Sequence, residues 1–257
     1  MRFSVITPVA GLQAFATMSH THLLLSHVQN ELYWKFYQQL QFERPQDLII
    51  LDNSAYEAQM NMDRALDCLH KLVPTVLVMP DKLGDSAVTF RLSQQFIKQY
   101  RHELPCGLMY ACQCNGTVND FYEMLKHIRI MKEMYGIKWF GLPRHLATGG
   151  ISRAELCIWI KRLDDWADEC YVHGLGMSAG SLAELRALDD AQCDSVDSSA
   201  PVWRGWNGYG IENREGWDKN GTECDFDAHP NSLTAENTKL ILENLRKVGV
   251  GDAKSLC

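Results

Sequence analysis

The chain has 257 residues, 46% of them hydrophobic and 22% charged, which is enough apolar material for one large α/β domain with a full core. Its formal net charge of −7 excludes a broad basic surface, so a nucleic-acid partner has to be met by a local patch. No apolar run reaches the length of a membrane span, residues 1–18 lack the layout of a signal peptide, and nine cysteines, an odd number, suit reduced cytoplasmic thiols better than a disulfide framework.

Residues 3–9 are a short β-rich run stopped by Pro8 and Gly11, which predicts a first buried strand. Residues 18–25 lead into a polar and aromatic helix through Gln39, and 47–53 is the second strand. Ala65, Leu66, Leu69 and Leu72 recur at helical spacing within 62–72, and Pro74 ends that helix before the apolar third strand, 75–79. The alternation continues with a helix over 88–100, a strand over 106–112, a long helix over 118–135, a strand over 138–144 and an amphipathic helix over 151–166. Residues 170–172 are the sixth strand, 181–188 a short helix and 193–196 the seventh strand. Residues 202–230, rich in Trp, Gly, Asn and Asp, read as a long loop before the last helix, 234–248.

Strands separated by helices of this length imply parallel βαβ units in a single domain over residues 1–257. Seven such units fit a (β/α)8 barrel better than the alternative, a doubly wound sheet, and they leave the eighth strand unlocated. In a barrel the functional residues collect at the C-terminal strand ends. Polar tips recur here: Asp52 and Tyr56 after the second strand, Asp81 after the third, Gln113 after the fourth and Arg144 at the exit of the fifth. His173 and Gly174 close the sixth strand, where glycines let a planar ligand approach the backbone.

Any one of Asp52, Asp81 and Asp194, the last at the tip of the seventh strand, reads alone as a helix N-cap. Three carboxylates at three tips, accompanied by Gln113, Tyr56 and His173, read as a site. Asp194 and Asp197 compete for the role of nucleophile at the seventh strand, and spacing does not separate them. His20-Thr21-His22 reads as capping or packing histidines, and the pairs Cys112 with Cys114 and Cys224 with His229 lack the further ligands zinc needs, so no metal or cofactor is expected. Trp203, Arg204, Trp206 and Tyr209 combine rings with a cation, which suits either single-strand binding or a packed covering loop.

In this order the pieces resemble the tRNA-guanine transglycosylases, (β/α)8 barrels that exchange guanine in a polynucleotide for a 7-deazaguanine base. Ser19-His20-Thr21-His22-Leu23 is similar to the family's Asn-Thr-Tyr-His-Leu, and Asp52-Asn53-Ser54-Ala55-Tyr56 to its Asp-Ser-Gly-Gly-Tyr/Phe. Asp81 stands at the base-reading aspartate, Gln113 at the glutamine of Val-Gln-Gly and Gly141-Leu142 at Gly-Gly-Leu. His173-Gly174-Leu175-Gly176 resembles Met-Gly-Val-Gly, with His173 in place of methionine, and Cys193-Asp194-Ser195 resembles Phe-Asp-Cys or Phe-Asp-Ser. The family's Pro-Thr-Arg after the nucleophile is replaced by Ala200-Pro201-Val202-Trp203-Arg204, and its Cys-x-Cys-x-x-Cys is missing.

The resemblance implies that Asp194 takes C1′ in a covalent intermediate and that Asp52 is the general acid/base. It further implies that Asp81, Gln113, Gly141 and Leu142 read the base edge while Tyr56 and His173, beside Gly174, hold its faces. A short chain without the zinc motif is most similar to the phage and bacterial DNA-guanine transglycosylases. That likeness implies DNA as the polymer, with tRNA or a non-catalytic nucleic-acid-binding role as alternatives, and guanine and a 7-deazaguanine such as preQ0 as the bases. The target base is expected to be flipped, with Trp203, Arg204 and Arg144 meeting the strand, in the cytoplasm of the cell or of a phage's host.

Overall fold

The computed structural model describes residues 1–55, 60–163, 169–177, 182–213 and 224–250. Among them are eight strands, all parallel: β1 (Arg2–Val5), β2 (Thr21–Leu25), β3 (Leu48–Asp52), β4 (Val76–Val78), β5 (Gly107–Ala111), β6 (Trp139–Pro143), β7 (Tyr171–Leu175) and β8 (Ser195–Ser198). They form one sheet in the order β1-β8-β7-β6-β5-β4-β3-β2. Around it run α1 (Leu12–Phe15), α2 (Glu31–Glu43), α3 (Met62–Cys68), α4 (Ser86–Tyr100), α5 (Val118–Glu133), α6 (His145–Thr148), α7 (Arg153–Arg162), α8 (Leu182–Asp190), α9 (Ala200–Trp206) and α10 (Ala235–Lys247). The chain is a single α/β domain whose sheet curls into a nearly closed (β/α)8 barrel.

At the β1–β2 seam the ladder gives way to side chains. The Leu23 N–H donates to Ser4 Oγ at 2.6 Å, and the Ser19 hydroxyl donates to the Phe3 carbonyl at 2.5 Å. Strands covered on both faces carry continuous apolar runs, as in Leu48-Ile49-Ile50-Leu51, whose residues are at most 7% exposed. Helix starts are marked by side chains that accept a backbone N–H: Asn30 from Leu32, Asp85 from Val88, Thr117 from Asp120, Ser152 from Glu155 and Thr234 from Asn237. Among the described residues no helix is long and apolar enough to cross a membrane.

Two sequence expectations are corrected here. The strand left unlocated is β2, which sequence reading had as the lead-in to the following helix; all five of its residues are buried, and it pairs with β3 in register from Thr21↔Leu48 to Leu25↔Asp52. The span 202–230 is not loop throughout, because α9 occupies Ala200–Trp206 and packs closely against α10. That approach needs Gly205: a Cβ there would stand 2.8 Å from the Ile241 backbone. Val202, Trp206, Ile241 and Leu245 join Phe3 and Val5 in a second apolar cluster that covers the β8–β1 side of the barrel.

Candidate active site

The C-terminal strand ends surround a cavity of about 310 Å³, within the range of small-molecule sites. Asp52, Asp81, Gln113, Arg144 and Asp197 line it together with the aliphatic side chains of Leu25, Val78 and Leu175. Cys224 and Phe226 close one side, held where the Val9 N–H donates to the Phe226 carbonyl at 3.0 Å and where the Phe226 ring meets His27 edge-on at 5.9 Å. The cavity therefore combines apolar walls with carboxylates from three strands.

One wall is a polar shelf. Asp81 is 4% exposed; its Oδ1 accepts from Asn53 Nδ2 at 2.7 Å and its Oδ2 accepts from the Gln113 amide. Asn53 is itself fixed by donating to the Met79 carbonyl at 2.6 Å, and Gln113 Oε1 accepts from the Gly84 N–H at 3.1 Å. Burial pushes the Asp81 carboxyl above its ordinary value, and the Asn53 and Gln113 hydrogen bonds offset part of that rise. Each carboxylate oxygen has two lone pairs, so Asp81 still has acceptor capacity for N–H groups of a ligand.

Beside the shelf, β3 ends on Asp52. The next turn puts Ser54 in the left-handed region, φ 60°, a conformation uncommon for a residue with a side chain. The turn closes on two side chains: Asp52 Oδ2 accepts from the Ser54 N–H at 2.9 Å, and Asn53 Oδ1 accepts from the Ala55 N–H at 2.9 Å. Ser54 Oγ lies 2.9 Å from His27 Nδ1 and 3.1 Å from Ser26 Oγ, which ties this tip to the end of β2. His27 and Asn53 both line the cavity, and neither was among the residues expected from sequence.

The seventh-strand expectation is corrected by the pleat. Side chains alternate along a strand, so Asp194 and Asp197, three apart, leave it on opposite faces. Asp194 precedes β8 at the N-terminal end of the barrel, where its Oδ2 accepts from Lys161 Nζ at 2.7 Å and from the Val172 N–H at 2.7 Å. It does not line the cavity. Asp197 does; it is 5% exposed, and its Oδ1 accepts from the Gly176 N–H at 2.9 Å and from His173 Nε2 at 3.0 Å. Gly176 reaches it from a left-handed turn at φ 71°, which glycine adopts without a Cβ penalty.

Other expected site residues lie elsewhere. His173 is fully buried in the middle of β7 beneath Asp197, not at a tip where it would face a base. Gly174 points to the helical layer, since a Cβ there would meet Val196 and Leu188 side chains at 3.1 and 3.6 Å. At Gly141 a Cβ would stand 2.6 Å from Leu175 Cδ1, and its carbonyl accepts from the Cys112 N–H; Leu142 is fully buried, with its carbonyl taken by Arg153. Trp203 packs against the second cluster, and Arg204 is 8% exposed, with Nε donating to the Gly210 carbonyl at 3.3 Å and Nη2 to the Asn213 carbonyl. Arg204 thereby holds the segment that follows α9, and Trp203 is partly buried on α9 itself. Tyr56 lies outside the described residues.

His20 and His22 are at the far end of the barrel from the cavity. Both contact Asp47, at 2.8 and 3.0 Å, and Arg44 completes the cluster at 2.6 Å. Burial works against the Asp47 charge, but the hydrogen bonds from His22 and His20 and the Arg44 charge hold its carboxyl below its ordinary value. This is an ion-paired structural cluster that joins the start of β2 to β3. Among the described residues no group of three or more His, Cys, Asp or Glu side chains is arranged to hold a metal ion.

No family profile matches the chain, and no curated protein is detectably similar to it in sequence. What the fold and the cavity establish together is a (β/α)8 barrel with an acidic cleft at its C-terminal mouth.

Proposed function

We propose that this protein is a base-exchange transglycosylase that replaces guanine in DNA with a 7-deazaguanine base through a covalent aspartyl–sugar intermediate, with Asp197 as nucleophile. The observation that carries the proposal is the meeting of Asp197 and Asp52 in one cavity with the Asp81–Asn53–Gln113 shelf. In the first half-reaction Asp197 forms a bond to C1′, the C1′–N9 bond breaks with its electron pair going to guanine, and Asp52 supplies the proton to the leaving base. In the second, N9 of the incoming base attacks C1′, its proton passes to Asp52 and the ester electrons return to Asp197. Acid and nucleophile are thereby restored.

The shelf suits the guanine edge: Asp81 accepts from N1–H and the 2-amino group, while an amide donor lies beside it for O6. Registering the resemblance on Asp197 also improves it, because Val196-Asp197-Ser198 retains an apolar residue before Asp-Ser and brings Pro201 into the segment after it. DNA as the polymer rests on the likeness to the zinc-less enzymes, and Arg144 at the cavity is the cation proposed to meet a phosphate beside the flipped base. The test is incubation with labelled guanine and, separately, duplex DNA, single-stranded DNA and tRNA. Label in DNA is expected; label in tRNA alone moves the function to RNA, and label in none of the three rejects base exchange.

A further inference from the structure

We infer that His173 is a positioning residue for the nucleophile, selecting which oxygen of Asp197 attacks and polarising the ester that results; this rests on the base-exchange reading above. A carboxylate only accepts hydrogen bonds, so His173 Nε2 donates to Asp197 Oδ1 at 3.0 Å. The opposite ring nitrogen, Nδ1, lies 2.5 Å from Ser195 Oγ on β8, in the β7–β8 register that pairs His173 with Ser195. The ring is fully buried and held at both nitrogens, so it has one orientation. The Gly176 N–H reaches the same Asp197 oxygen at 2.9 Å.

Two donors on Oδ1 make it the poor nucleophile of the pair and leave Oδ2 to attack C1′. Once the C1′–Oδ2 bond has formed, Oδ1 is the carbonyl oxygen of a sugar ester. The same two donors then stabilise the negative charge that returns to the carboxylate as the incoming base displaces it, with no proton moved by His173. Asp52 alone handles the proton. Leucine at position 173 is apolar and makes neither hydrogen bond, whereas glutamine keeps an amide donor, and that contrast makes the role testable.

The experiment compares His173→Leu, His173→Gln and Ser195→Ala with the unmodified chain, measuring guanine exchange into DNA, guanine KM, adduct formation in a single turnover and the unfolding midpoint. Loss of one hydrogen bond to a charged group corresponds to about a 10- to 100-fold fall in kcat. His173→Leu is expected to show that fall with KM unchanged and slower adduct formation. His173→Gln, whose amide nitrogen can take the place of Nε2, is expected to recover most of it. Wild-type kcat in His173→Leu, or a loss that His173→Gln shares in full, overturns the role while base exchange stands. If His173→Leu does not fold, Ser195→Ala decides: a several-fold fall in kcat at constant KM supports the role, and an unchanged kcat overturns it. Absence of exchange by the unmodified chain on DNA and tRNA overturns the base-exchange reading and this role with it.

Discussion

Replacing Asp194 separates the two candidate aspartates, because its expected cost is to stability and not to turnover. Asp194→Ala leaves the Lys161 ammonium, whose side chain is 8% exposed, with the Cys170 carbonyl at 2.8 Å as its remaining partner among the described residues, and it deprives the Val172 N–H of its acceptor. Removing one partner of a fully buried ion pair costs about 3–5 kcal/mol. The Asp194 side chain is 30% exposed, so water can replace part of what is lost, and the cost after that discount is about 1–3 kcal/mol. For a chain of this size that is a fall of roughly 2–12 °C in the unfolding midpoint. Asp194→Asn keeps an amide oxygen for both donors and falls less. Circular dichroism melts give the stability, and labelled-guanine exchange at a temperature below both midpoints gives the activity. Both Asp194 variants are expected to exchange at near wild-type rate, whereas Asp197→Asn loses on the order of 10⁴-fold or more. An Asp194→Ala protein with an unchanged midpoint and no exchange, or an active Asp197→Asn, refutes the assignment.

Three further outcomes follow from other parts of the molecule. Gly205→Ala drives a methyl into the Ile241 backbone and is expected to lower stability by about 1–3 kcal/mol in urea unfolding; an unchanged urea midpoint contradicts the close α9–α10 approach. Because burial holds the folded-state value of Asp81 above its unfolded value of about 4, the stability this group contributes is full below pH about 4 and lost as pH rises through the raised value. The wild-type midpoint should accordingly fall relative to Asp81→Asn between pH 4 and pH 7, and parallel curves would be inconsistent with a raised carboxyl. Arg144→Ala is expected to reduce the salt slope of DNA binding by about 1, while Arg204→Ala lowers the unfolding midpoint and leaves that slope alone; the reverse pattern would return Arg204 to the nucleic-acid surface.

The barrel was largely legible in sequence because apolar runs such as 48–51 and 75–79 are bounded by proline, glycine and capping residues, which fix where a strand or helix stops. β2 was missed because its five buried residues run into α2 across a short connection, and the outward-facing His22 makes the run look half polar. Asp52, Asp81 and Gln113 were found as strand tips and do share the cavity. Asp197 required parity: once Ser195 and Asp197 are known to face inward, Asp194 cannot join them. The packing of Trp203 and Arg204 was not legible because the second apolar cluster and the Gly210 and Asn213 carbonyls they meet leave no local mark in the residues themselves.

The most direct measurement is the identity of the residue that becomes covalently attached to nucleic acid. Protein is mixed with a guanine-containing DNA strand in the absence of free base, denatured and digested, and the nucleotide-bearing peptide is sequenced by mass spectrometry. The expected result is a single adduct on Asp197, formed by the unmodified chain and absent from Asp197→Asn. An adduct on Asp52, on Asp194 or on no residue at all, under conditions where exchange proceeds, contradicts the account.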